Sequence, residues 1–145
     1  MDPMSEPARR LVPTADAERS PWFAYQYLVL RAVPRVEREE FVNVGVVLYS
    51  QDAGFLDAAV HVDASRLRAL CADVDLDALG DGLETVRAVC RGEAVAGLDA
   101  AARPWRRFGW LEAPRSTVIQ PSRPHGGLTR DPAAELTTLL DRLVR

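Results

Sequence analysis

Six arginines, Arg103, Arg106, Arg107, Arg115, Arg123 and Arg130, stand within 28 residues of one another against a single acid, Glu112. The stretch has a local charge of +5, whereas the rest of the chain carries twelve arginines against twenty acids and the whole is −3. Trp105, Phe108 and Trp110 are interleaved with the basic residues. A guanidinium fork fits a phosphate or a carboxylate bidentately, and an indole stacks on guanidinium or on a base. The segment therefore reads as an anion-recognising face built on Trp105, Arg106, Arg107, Trp110, Arg115 and Arg123. The competing reading is that these arginines pair internally with Glu37, Glu39 and Glu40 while the aromatics enter the core.

A second constellation lies inside the first: Arg115-Ser116-Thr117-Val118-Ile119-Gln120, then Arg123 and His125-Gly126-Gly127. Backbone N–H groups near the two glycines can cradle an oxyanion, with Arg115 and Arg123 supplying charge. His125 is a candidate acid–base group because histidine titrates near neutrality. The alternative is a loop histidine bonded to a neighbouring carbonyl. The chain has no lysine, so a P-loop is excluded. Ser116, His125 and Asp131 carry no Gly-x-Ser-x-Gly elbow around the serine, which argues against a hydrolase triad. Cys71 and Cys90 match no metal spacing, and neither histidine is near them. The sequence implies no cofactor and no metal, and the balance of readings leans away from an enzyme.

These residues need elements to position them. The most β-prone stretch is Arg38-Glu39-Glu40-Phe41-Val42-Asn43-Val44-Gly45-Val46-Val47-Leu48-Tyr49. Alternation places Val42, Val44, Val46 and Leu48 on one face and Phe41, Asn43, Gly45, Val47 and Tyr49 on the other. Asn43 and Gly45 are unusual inside a strand; a glycine there marks a bulge or a close approach of another backbone. A preceding strand runs from Trp22 to Val33 with Tyr25, Tyr27, Val29, Arg31 and Val33 on one side. Pro34 ends it, and the charged linker Pro34 to Glu40 is exposed. A third strand spans Phe55 to Val62, and short connections make the three an antiparallel meander. Asp63, Asp75 and Asp131 cap helices, Pro132 opens the last one, and Gly92 stops the second. Trp105 to Trp110 suggests a turn of helix, Thr117 to Gln120 a short strand, and Pro121 to Gly127 a loop. The expected architecture is α+β: an antiparallel sheet, a three-strand meander plus a late short strand, covered by about three helices.

Length and composition fit one domain over residues 22–145 behind a flexible N-terminal tail, 1–21. Hydrophobic residues at 48% support a real core rather than disorder. No apolar run approaches the ~20 residues a bilayer requires, and Met1 to Ser20 lacks a signal-like apolar run, so a cytoplasmic location is expected.

Arg38 to Leu48, Pro114 to Gln120, Tyr27 to Pro34 and Leu128 to Pro132 together resemble the DUF3037 family of small bacterial proteins. The resemblance covers about residues 23 to 145, and Phe-Val-Asn-Val-Gly-Val is its most specific motif. It implies no catalytic residues. It does imply an accessory role with a protein partner, since similar proteins are often encoded beside HipA-like kinases. Asn43, Gly45, Arg115, Ser116 and Gln120 are the matched positions that can serve the fold or a contact surface. Three functions are carried forward: a module that binds a protein such as a HipA-like kinase, a domain for a phosphorylated small molecule at the Arg/His/Gly segment, and nucleic-acid binding through residues 103–130.

Overall fold

A computed structural model describes residues 21–115 and 117–145; residues 1–20 of the expected N-terminal tail and Ser116 lie outside the described residues. The first strand, β1 (Phe23–Ala32), is the spine of the sheet. One edge of it pairs antiparallel with β2 (Val42–Ser50), which in turn pairs with β3 (Phe55–Val60). Its other edge is shared by two short strands, β4 (Ile119–Pro121) at the Leu30–Ala32 end and β5 (His125–Thr129) at the Phe23–Tyr27 end. The meander is therefore as read, and the late strand is joined by a fifth.

That fifth strand corrects the reading of Pro121 to Gly127 as a loop. Pro121 and Pro124 lack an N–H, but on an edge strand a missing donor can face outward. Ser122 bridges the break between β4 and β5: its N–H donates to Val29 O at 2.8 Å, and its hydroxyl accepts from Val29 N–H at 2.9 Å. A side chain thus stands in for a strand carbonyl, and the ladder along β1 continues through a proline-rich segment.

Alternation along β2 fails at Val44. Leu30 pairs with Gly45 and Arg31 with Asn43, so Val44 is an extra residue, a β-bulge. The bulge divides the valine run between two cores. Val42, Val44, Val47 and Tyr49 face one side, and Val46 and Leu48 the other. The single apolar face of Val42, Val44, Val46 and Leu48 is corrected accordingly. With a core on each side of the sheet, β2 buries apolar residues on both of its faces.

The first side is covered by α1 (Ala64–Leu70), α2 (Leu76–Arg91) and α3 (Pro104–Glu112), burying Leu67, Leu79, Leu83, Val86, Val89, Phe108 and Leu111 against Leu28 and Leu30. The second is covered by α4 (Pro132–Leu143) through Leu136, Leu139 and Leu140. Asp63, Asp75 and Asp131 each accept a backbone N–H as N-caps, and Gly92 ends α2 at φ 92°. The Trp105 to Trp110 turn is a full helix, α3, opened by Pro104. Among the described residues no helix is long and apolar enough to cross a membrane.

Candidate functional site

The bulge sets the site. By putting Asn43 opposite Arg31, it aligns a row of three polar residues across neighbouring strands: Gln120 on β4, Arg31 on β1 and Asn43 on β2. Directly opposed residues share a face, so the row lies on the α4 side, at the end of that helix. Asn43 donates through Nδ2 to Leu143 O at 3.0 Å and Arg66 through Nη1 to Val144 O at 3.1 Å, so the last carbonyls of α4 are capped by side chains.

Beside this row is a polar recess of about 360 Å³ lined by Arg31, Val33, Val36, Glu39, Phe41, Arg115 and Gln120. The Arg31 guanidinium lies over the Phe41 ring, 4.3 Å from its centroid. It makes no hydrogen bond among the described residues, and its Nε is buried without an acceptor. Glu39, on the rim, has φ 57°, the left-handed region that suits glycine better than glutamate. The 115–120 segment is pinned alongside by Val33 N–H donating to Val118 O at 2.7 Å.

Arg115 is more constrained than its neighbours. Its Nη1 donates to Leu111 O and Ala113 O, both at 3.2 Å, and its Nη2 to Trp110 O, so it caps the end of α3. The guanidinium also stacks over Trp110 at 4.3 Å. Partial burial lowers its proton affinity below that of a free guanidinium. It brings positive charge to the recess rather than an open fork.

The remaining candidates are dispersed. Arg107 is only 2% exposed and donates to six carbonyls, those of Val89, Gly92, Glu93, Asp99, Ala100 and Ala102, so it binds the end of α2 to the connection before α3. Its fork has no room for an external anion. Arg106 and Trp105 are exposed on α3, Trp105 at 60%. Neither of the sequence readings for the basic stretch holds as a unit. Glu37 and Glu40 pair with Arg35 and Arg38, their own neighbours, and not with the 103–130 arginines.

The oxyanion cradle expected at Arg115, Arg123 and His125-Gly126-Gly127 is corrected by the register. His125 pairs with Tyr27, four residues along β1 from Arg31, about 13 Å at roughly 3.3 Å per residue. Extended backbone also points successive N–H groups to opposite sides, so the two glycines form no concave nest. The imidazole stacks on the Tyr27 ring with centroids 5.2 Å apart. Gly127 is required by packing: a Cβ there would fall 2.6 Å from the Tyr25 hydroxyl. Gly45 is a close-approach position as anticipated, since its Cβ would stand 2.9 Å from Ala59 O.

Arg31 and Phe41 were not singled out as site residues from the sequence; Glu39 belongs to the exposed Pro34 to Glu40 turn, which is a candidate contact surface. Arg31 looked like one polar residue in an alternating strand. A signal was available in the combination of an arginine on an otherwise apolar face and an aromatic just before Asn43, but the pairing that unites them is long-range.

An antiparallel sheet with helices on both faces and a polar recess at one end defines a small α+β domain with a built surface depression. The chain belongs to the DUF3037 family, described as protein of unknown function, whose model matches residues 27–144. No curated protein and no solved structure matches it.

Proposed function

We propose that this chain is a non-enzymatic accessory module that binds a protein partner across the recess at the Arg31 end of the sheet. The observation that carries this reading is convergence. Three segments distant in sequence, Tyr27 to Pro34, Arg38 to Leu48 and Pro114 to Gln120, supply Arg31, then Glu39 and Phe41, then Arg115 and Gln120 to one depression. These are also the segments that carry the family resemblance.

Phe41 is 45% exposed beside charged and amide groups, the composition of an anchoring contact with a polar surround. The adjoining turn, Arg35 to Glu40, holds two exposed ion pairs, Arg35–Glu37 and Arg38–Glu40. Exposed pairs add little to stability. In an interface such charges set orientation and association rate. The family resemblance makes a HipA-like kinase the first partner to test.

The test is capture of partners from the native host by the tagged full chain, followed by titration of the purified kinase. Phe41→Ala is compared with Trp105→Ala, an exposed aromatic on α3 outside the recess. The reading expects a stoichiometric protein that Phe41→Ala loses and Trp105→Ala keeps, with both variants folded. Equal binding by the Phe41 variant and the parent chain sinks it.

A further inference from the structure

Arg31 is a cation whose side chain makes no hydrogen bond among the described residues. It stands at a strand position flanked by Gln120 and Asn43, lines the 360 Å³ recess, and donates to no acceptor among the described residues. Its Nε is buried and unpaired, a costly state for a charged donor. The Phe41 ring lies against it at 4.3 Å and restrains the side chain, so less freedom is lost when a ligand docks.

We propose that the recess is a carboxylate-binding subsite in which Arg31 takes an acidic side chain or a chain-terminal carboxylate of the docked partner. This rests on the protein-binding reading above. One open fork matches one carboxylate, and the pair is a charge-assisted, two-point contact. Arg115 cannot supply a second fork because its Nη groups are committed to Trp110, Leu111 and Ala113. Its charge adds to the attraction at longer range.

The rest of the lining selects among anions. Glu39 at the rim offsets part of the positive charge of Arg31 and Arg115, leaving a net charge that one monoanion balances. Gln120 spends its amide nitrogen on Thr117 O at 2.9 Å, leaving its amide oxygen as an acceptor. An acceptor beside a cationic fork suits a peptide, which offers an N–H next to its carboxylate. The left-handed backbone at Glu39 places strain on the same rim, where strained residues commonly serve binding.

The experiment follows the arginine Nε–Hε signals of the ¹⁵N-labelled full chain by NMR. Four probes are titrated: N-acetylglutamate amide, with only a side-chain carboxylate; N-acetylalanine, with only a terminal one; N-acetylalanine amide, with none; and inorganic phosphate. The Arg31 signal is expected to move saturably with at least one carboxylate and to stay in place with the neutral amide. The stronger of the two carboxylates identifies the source. Arg31→Lys, whose backbone spectrum reports whether the fold is kept, is expected to weaken that binding about tenfold through loss of the planar fork.

No saturable shift with either carboxylate overturns the proposal, as does an equal response to the neutral amide or tighter binding of phosphate. Full binding by a folded Arg31→Lys chain does the same. The partner reading fails separately. If the probes leave Arg31 unmoved while Phe41→Ala abolishes capture of the partner, only the carboxylate subsite is lost. If the probes bind and Phe41→Ala changes nothing, the subsite stands and the partner surface does not.

Discussion

The Tyr25 hydroxyl donates to Glu135 Oε2 at 2.8 Å, joining the central strand β1 to helix α4 across the second core. The residues are 110 positions apart. Tyr25 is 8% exposed, so burial above all, and then the bond to a carboxylate, pushes its hydroxyl up to about 12.

That shift gives a pH dependence with a definite sign. An unfolded tyrosine releases its proton near pH 10, whereas folded Tyr25 holds it to about 12. Between these values the native state binds more protons than the unfolded one, so raising the pH lowers stability. The contribution is complete below pH ~10 and is lost as pH rises through about 12. Urea unfolding at pH 8 and pH 11 measures it. Tyr25→Phe is expected to cost about 1 kcal/mol at pH 8 and to flatten the alkaline decline. An unchanged slope in that variant assigns the decline to other groups.

Arg107 is expected to be among the least tolerant residues of the chain. Removing its guanidinium takes a donor from six carbonyls; Val89 O and Asp99 O keep backbone donors from Gly92 and Ala102, while those of Gly92, Glu93, Ala100 and Ala102 are left without one among the described residues. Arg107→Ala should lose about 3 kcal/mol, since a buried polar group left unsatisfied costs about 1–3 kcal/mol and several carbonyls lose their donor together. Arg107→Lys should recover only part, because three donors on a point charge cannot reach six acceptors. Arg106→Ala, one residue earlier and exposed, serves as the control and should fall within about 0.5 kcal/mol of the parent. Similar midpoints for the Arg106 and Arg107 variants in chemical denaturation exclude this role.

Gly45 and Gly82 separate rigid from yielding neighbours. A Cβ on Gly45 meets Ala59 O at 2.9 Å, a backbone atom held in the β2–β3 ladder. On Gly82 it meets the Ile119 Cδ1 at 2.5 Å, the free end of a side chain that can rotate away. Gly45→Ala is expected to destabilise by about 1–3 kcal/mol, the usual cost of overpacking. Gly82→Ala should cost less, because alanine also improves the helix by about 1 kcal/mol. Thermal melts of the two variants decide it, and a lower midpoint for the Gly82 variant reverses the assignment.

What was legible in the sequence were features whose causes lie within a few residues. Asp63, Asp75 and Asp131 cap helices because a carboxylate reaches an N–H three residues ahead. Gly92 ends α2 because its backbone takes a left-handed turn. The meander of β1, β2 and β3 follows from apolar runs joined by short connections. Gly45 was recognisable as a close approach because little else places a glycine in a valine-rich strand.

Tertiary structure alone decided the rest. Whether Val44 or Val46 shares a face with Val47 depends on one extra residue in the β1–β2 register, and no local preference encodes that insertion. Arg107 and Arg106 are adjacent and chemically identical, yet one is enclosed by carbonyls from two segments and the other faces solvent. His125 to Gly127 becomes a strand because the edge of β1 is free to receive it. The recess exists only where residues 31, 41 and 120 meet, and their meeting is a property of strand pairing across about 90 positions of chain. Capping energies act locally; burial and hydrogen-bond satisfaction are settled only when distant segments close on one another.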